Sequence, residues 1–115
     1  MRLWPRRRQL VATDAHEQVV AGETVHQPAI MRACGGHVPT AARRTLVTVS
    51  VVREAHDRDA VAVVSVLGEV LGYLPRHDAR AWRRHLPDRG ITTTAAVRAV
   101  GPTGTVGVEV GLALR

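Results

Sequence analysis

Two stretches of this chain alternate apolar with polar or small residues, and that period of two constrains the fold more than any other feature. In residues 46–53, Val47, Val49 and Val51 fall on one side, with Thr48 and Ser50 on the other. In residues 106–114, Val106, Val108, Val110, Leu112 and Leu114 recur at every second position. Extended backbone sends successive side chains to opposite faces, whereas a helix repeats every 3.6 residues. Both stretches therefore read as strands with one buried face. Nineteen of the 115 residues are valine, whose branched Cβ suits a pleated sheet.

The rest of the chain supplies more short elements. Residues 18–22 read as a first strand. Residues 28–34 read as one or two helical turns, with Pro28 at the first helical position and Gly35-Gly36 as the stop. Residues 36–44 form a loop. After a polar turn at 54–59, residues 60–65 and 69–74 form a hairpin on Gly68, and Pro75 ends its second strand. Residues 78–86 form a short amphipathic helix with Ala79, Trp82 and Leu86 on one face, closed by Pro87 and Gly90. Residues 91–100 alternate as another strand, and 101–104 form a turn. Residues 1–17, with Arg6, Arg7 and Arg8, show no sustained period and read as a basic, poorly ordered arm, leaving 18–115 as one domain. The expected fold is mainly β, a small antiparallel barrel of about six strands with two short helical insertions. Closing the sheet on itself removes exposed edges.

Charge bears on partners. All 16 basic residues are arginine, and lysine, asparagine and phenylalanine are missing, which reads as a GC-rich coding bias. The net charge of +6 nevertheless attracts polyanions. Cys34 is the single cysteine, so no disulfide forms within the chain. No apolar run follows the N-terminal arginines as a secretory signal requires, and no segment has the length of a membrane span. A cytoplasmic protein that does not enter membranes is the expectation.

Three segments, in order, are Gly22-Glu23-Thr24-Val25-His26-Gln27-Pro28, then His56-Asp57-Arg58-Asp59-Ala60-Val61-Ala62-Val63, then Leu71-Gly72-Tyr73-Leu74-Pro75-Arg76. In this order and spacing the chain resembles a HIRAN domain over roughly residues 18–113. The resemblance implies an OB-like β-barrel, found fused to SWI/SNF-type DNA translocases in repair and as a stand-alone unit in bacteria. It implies a cap on the 3′ end of single-stranded DNA, in which aromatics stack on terminal bases and an acidic residue accepts a hydrogen bond from the 3′ hydroxyl. By position, Asp57 matches the acidic residue, His56 the aromatic before it, Tyr73 the aromatic of the glycine-x-leucine-proline segment and His26 an aromatic of the first segment. Thr24 and Val25 stand where DNA-capping members carry arginine and tyrosine, no Asn-Pro precedes the acidic turn, and Asp59 replaces a common asparagine.

These residues suit single-strand binding, which needs flat faces for bases and cations for phosphates. Tyr73, His26 and His56 supply the faces; Arg76, Arg80, Arg83 and Arg84 supply the charge, with Arg43-Arg44 in the long loop. Two histidines in place of tyrosines predict a grip that strengthens below about pH 6.5, where histidine ordinarily protonates. An ionised Asp57 only accepts hydrogen bonds, so it would prefer a 3′ hydroxyl to a 3′ phosphate. Asp57 also suits an Asx turn before the strand, and the two roles are compatible. Trp82 reads as core.

Catalytic readings are weaker. Asp57 and Asp59 share a face if extended, but no further carboxylate has motif spacing to them for a metal-dependent nuclease or other hydrolase. Cys34, His37 and His26 lack a fourth zinc ligand. No cofactor, metal or catalytic residue is expected. The leading reading is a nucleic-acid-binding module for single-stranded DNA and its 3′ end in repair or replication, working in trans with a helicase or other repair enzyme. The alternative is a non-catalytic protein-interaction module that docks on a DNA-processing enzyme.

Overall fold

A computed structural model describes residues 8–57, 59–100 and 105–115. The chain is mainly β, with eight strands and two short helices among these residues. The strands are β1 (Leu10–Ala12), β2 (Gln18–Val19), β3 (Thr45–Arg53), β4 (Val61–Ser65), β5 (Val70–Tyr73), β6 (Ile91–Ala99), β7 (Val106–Val110) and β8 (Leu112–Leu114). The helices are α1 (Gln27–Ala33) and α2 (Arg76–Trp82), and a 3₁₀ turn at Arg83–His85 extends α2.

Six strands form one antiparallel sheet in the order β2-β7-β6-β3-β4-β5. Its two edge strands meet. The Ala21 N–H donates to the Tyr73 carbonyl at 2.7 Å, and the Tyr73 N–H donates to the Ala21 carbonyl at 2.9 Å. That single bridge closes the curled sheet into a circuit and satisfies edge groups that would otherwise template another chain. Two features allow the curl. The β4–β5 register shifts between Val63 and Val64, which bends the ribbon. Gly72 lets the segment after β2 come close: a Cβ there would lie 2.5 Å from Val20 Cγ1 and 2.6 Å from the Ala21 carbonyl oxygen.

The core is aliphatic, with Val20, Ile30, Val49, Val51, Val61, Val63, Leu71, Val97, Val106 and Val110 nearly inaccessible. The alternation of residues 46–53 is realised, since Val47, Val49 and Val51 are all buried. α1 follows Pro28, sends Ile30 into the core and gives way to Gly35 and Gly36, both at positive φ. Gln27 ties this helix to β7: its side-chain amide accepts from the Val106 N–H at 2.9 Å and donates to the Val106 carbonyl at 3.0 Å. One glutamine thus replaces a strand partner where β2 has ended. Trp82, on the apolar face of α2, packs half-buried against the core. Its indole N–H donates to Gln18 Oε1 at 2.9 Å, and Gln18 Nε2 donates to Asp78 Oδ2 at 3.0 Å.

Three expectations change. Leu10–Ala12 is a strand rather than arm: β1 pairs β8 antiparallel and Leu10 is buried, because apolar Leu10 and Val11 match the last alternating residues. The final stretch is two strands rather than one, broken at Gly111, where β7 stays in the six-stranded sheet and β8 leaves to pair β1. A Cβ at Gly111 would lie 1.8 Å from the Thr13 carbonyl oxygen, so the switch needs a glycine. The second helix starts at Arg76, directly after Pro75, rather than at residue 78. Residues 1–7 of the expected arm and the turn at 101–104 lie outside the described residues.

Candidate nucleic-acid interface

Strand register assembles one rim of the barrel. Arg53 pairs with Val61 across β3 and β4, and Ala62 pairs with Tyr73 across β4 and β5. The turn between β3 and β4 therefore emerges where β5 ends and α2 begins. The Ala21–Tyr73 bridge brings the loop before α1 to the same place. These are the three segments singled out by the family resemblance.

Within that rim, Asp57, Asp59, Ala60, Tyr73, Leu74, Arg76 and Ala79 line a cleft of about 170 Å³. Asp57 is exposed, and its Oδ1 accepts from the Asp59 N–H at 3.0 Å, forming the Asx turn. Its other carboxylate oxygen has no protein partner among the described residues, so the turn and a ligand contact are compatible. Tyr73 is half-buried, and the half-buried His26 ring lies beside it, centroids 6.1 Å apart and tilted by 59°. Tilted rings at this separation make a favourable edge-to-face contact that orients both. His26 sits at the N-cap of α1 and also touches a neighbouring depression lined by Val25, Arg32 and Glu69. Arg32 and Glu69 form a two-point ion pair, with contacts of 2.8 and 2.6 Å, which fixes α1 against the β4–β5 hairpin. The bond from Arg32 holds the Glu69 carboxyl below the usual carboxylate range.

The arginines divide by task. Arg76 and Arg80 are exposed on α2. Arg83 forms an ion pair with Asp59. The hydrogen bond from Arg83, then its charge and those of Arg80 and Arg76, hold the Asp59 carboxyl below its ordinary range. Arg84 is exposed and lies in a second, larger depression of about 520 Å³ with Arg53, Glu54, Asp59 and Arg83. Arg53 is structural: its Nη2 donates to the carbonyls of Arg83 and Leu86 and its Nη1 to Asp88, pinning the end of the helix to β3.

The structure thus brings Asp57, Tyr73 and Arg76 into one cleft with His26 against Tyr73, and sets Arg80, Arg83 and Arg84 alongside. His56 is exposed and does not line the cleft. Asp59 is held by Arg83, which separates it in role from Asp57. Sequence reasoning missed Gly72 as the residue that admits the closing strand, and the Gln27 clamp, which no spacing announces. The indole of Trp82 did carry a signal, since a buried indole N–H needs an acceptor. Cys34 is buried, which pushes its thiol pKa up and away from nucleophilic chemistry. Among the described residues no three His, Cys, Asp or Glu side chains converge as metal ligands do, and no helix is long and apolar enough to cross a membrane. Comparisons with family models, with curated proteins and with solved structures find no match.

Proposed function

We propose that this protein binds single-stranded nucleic acid, DNA in the first instance, and receives its 3′ end in the cleft of Asp57, Tyr73 and Arg76. The observation that carries the reading is the convergence in one small cleft of an acceptor carboxylate, an aromatic face and an exposed guanidinium, on a chain of net charge +6. Each has a distinct task. Asp57 accepts from a terminal hydroxyl, which a terminal phosphate cannot offer and whose charge it repels. Tyr73, oriented by His26, stacks on a base. Arg76 meets a phosphate as a planar donor.

Size favours an end over a passing strand. At about 170 Å³ the cleft is below the roughly 300–1,000 Å³ of sites that enclose a drug-sized ligand, so it takes the terminal sugar and its hydroxyl while the base and phosphate lie over its Tyr73 and Arg76 walls. The resemblance to HIRAN domains points the same way and suggests work in DNA repair or replication beside a helicase. Thr24 and Val25, in place of arginine and tyrosine, imply a modest grip.

Fluorescence anisotropy at low salt tests this with two oligonucleotides that differ only in a 3′ hydroxyl or a 3′ phosphate. The hydroxyl end should bind more tightly, and Asp57→Asn, which keeps the Asx turn, should erase the difference. Equal affinities for the two ends would remove end recognition. No binding of either would favour a protein-interaction surface on the same rim.

A further inference from the structure

Asp59 belongs to both depressions: it lines the 170 Å³ cleft and the adjoining 520 Å³ basin. Its carboxylate holds the Arg83 guanidinium, which also lines the basin, so the wall between the two spaces is an ion pair. Of the other charged groups in the basin, Arg53 is committed to backbone carbonyls and Asp88, while Arg84 has no protein partner among the described residues. Glu54 is the opposing charge. A carboxylate on a guanidinium occupies the same planar donor site that a phosphate takes. The pair is open to solvent, with 66% of the Asp59 and 33% of the Arg83 side chain exposed, so water screens it and a stronger anion competes well.

We propose that Asp59 is a built-in competitor for a phosphate, and that the basin of Arg83 and Arg84 is the subsite for the phosphate next to the terminal nucleotide. The inference rests on the end-binding reading of the cleft. The strand would leave the cleft across the Asp59–Arg83 pair, draw Arg83 away from Asp59 and pass its next phosphate to Arg84. In the free protein Asp59 offsets the positive charge of Arg76, Arg80 and Arg83, which lowers attraction for polyanions that cannot also fill the cleft.

The test uses 5′-labelled octathymidylate with a free 3′ hydroxyl, followed by anisotropy from 50 to 200 mM NaCl. Asp59→Asn should bind more tightly than wild type and steepen the salt dependence by about one single-strand phosphate contact. A slope change near 0.7 makes the affinity ratio across this fourfold salt range larger by about 2.6-fold. The gain should vanish when Asp59→Asn is combined with Arg83→Gln, because the competitor acts through Arg83. Arg84→Gln should weaken binding and flatten the slope by a similar amount while preserving the preference for a 3′ hydroxyl. Asp59→Asn binding no more tightly than wild type, the same gain without Arg83, or Arg84→Gln binding like wild type would each overturn the subsite and leave end recognition standing. A wild-type protein that fails to bind octathymidylate at 50 mM salt, with an Asp59→Asn variant that fails too, would overturn both.

Discussion

Replacing Gly72 with alanine should open the barrel. The added Cβ would lie 2.5 Å from Val20 Cγ1 and 2.6 Å from the Ala21 carbonyl oxygen. Carbon atoms rest about 3.5–4.0 Å apart, so Val20 must retreat by about 1 Å or more. Val20 is buried and has no room to do so without disturbing its neighbours, and overpacking of this kind costs about 1–3 kcal/mol. Moving Ala21 also breaks the two hydrogen bonds of the closing bridge, at about 0.5–1.5 kcal/mol each. Together these amount to about 2–6 kcal/mol, a large share of the roughly 5–15 kcal/mol that stabilises a domain. At about 4 °C per kcal/mol for a domain of this size, Tm should fall by roughly 8–24 °C. Thermal unfolding by circular dichroism measures it. Gly68→Ala is the control: it also places alanine at a positive φ, +81°, but its Cβ meets nothing within 4 Å. The control should lose only the left-handed backbone cost, about 1–2 kcal/mol. A Gly72→Ala protein that melts no lower than Gly68→Ala would refute closure by the Ala21–Tyr73 bridge.

Three further outcomes follow from the same structure. Gln27→Ala strands the Val106 N–H and carbonyl together, so urea unfolding should show a loss of about 1–3 kcal/mol, with an unchanged midpoint contradicting the clamp. Tyr73→Ala should weaken oligonucleotide binding roughly 5- to 150-fold while Tyr73→Phe stays near wild type, since stacking needs the ring and not the hydroxyl; equal losses would move the stacking face elsewhere. Asp59 and Glu69 are both held below their ordinary carboxylate range by arginine partners, so their pairs stabilise the fold above that range and are lost as pH falls through the depressed values. The urea midpoint should therefore drop on acidification below the ordinary carboxylate range, and drop less in an Asp59→Asn, Glu69→Gln double variant; identical acid sensitivity of both proteins would contradict the pairing.

Period-two alternation made most of the sheet legible. Val47, Val49 and Val51 had one buried face in the sequence and have it in the structure, because a half-buried strand leaves little freedom in which side faces the core. Pro28, Gly35, Gly68 and Pro75 punctuated the elements where local backbone chemistry demanded it. What stayed hidden was non-local. The run from Val106 to Leu114 keeps its alternation through Gly111, and only the approach of Thr13 splits it between two sheets. Leu10–Ala12 is too short to announce itself beside the arginine run, and its partner lies at the other end of the chain. In the candidate site, Asp57 and Tyr73 were legible from the turn and the strand end, and register brought them together. The tie between Asp59 and Arg83 was not, since the two residues are 24 positions apart and nothing local links them.

The rim of Asp57, Tyr73 and Arg76 is the proposed nucleic-acid site. Titrating uniformly ¹⁵N-labelled protein with a short single-stranded DNA bearing a 3′ hydroxyl, and following backbone amides by NMR, tests it residue by residue. The largest shifts should fall on Asp57, Asp59, Ala60, Tyr73, Leu74 and Arg76, with smaller ones at His26. Shifts concentrated instead on the separate groove of Val19, Arg98, Val100 and Val108, or spread evenly over every arginine, would contradict it.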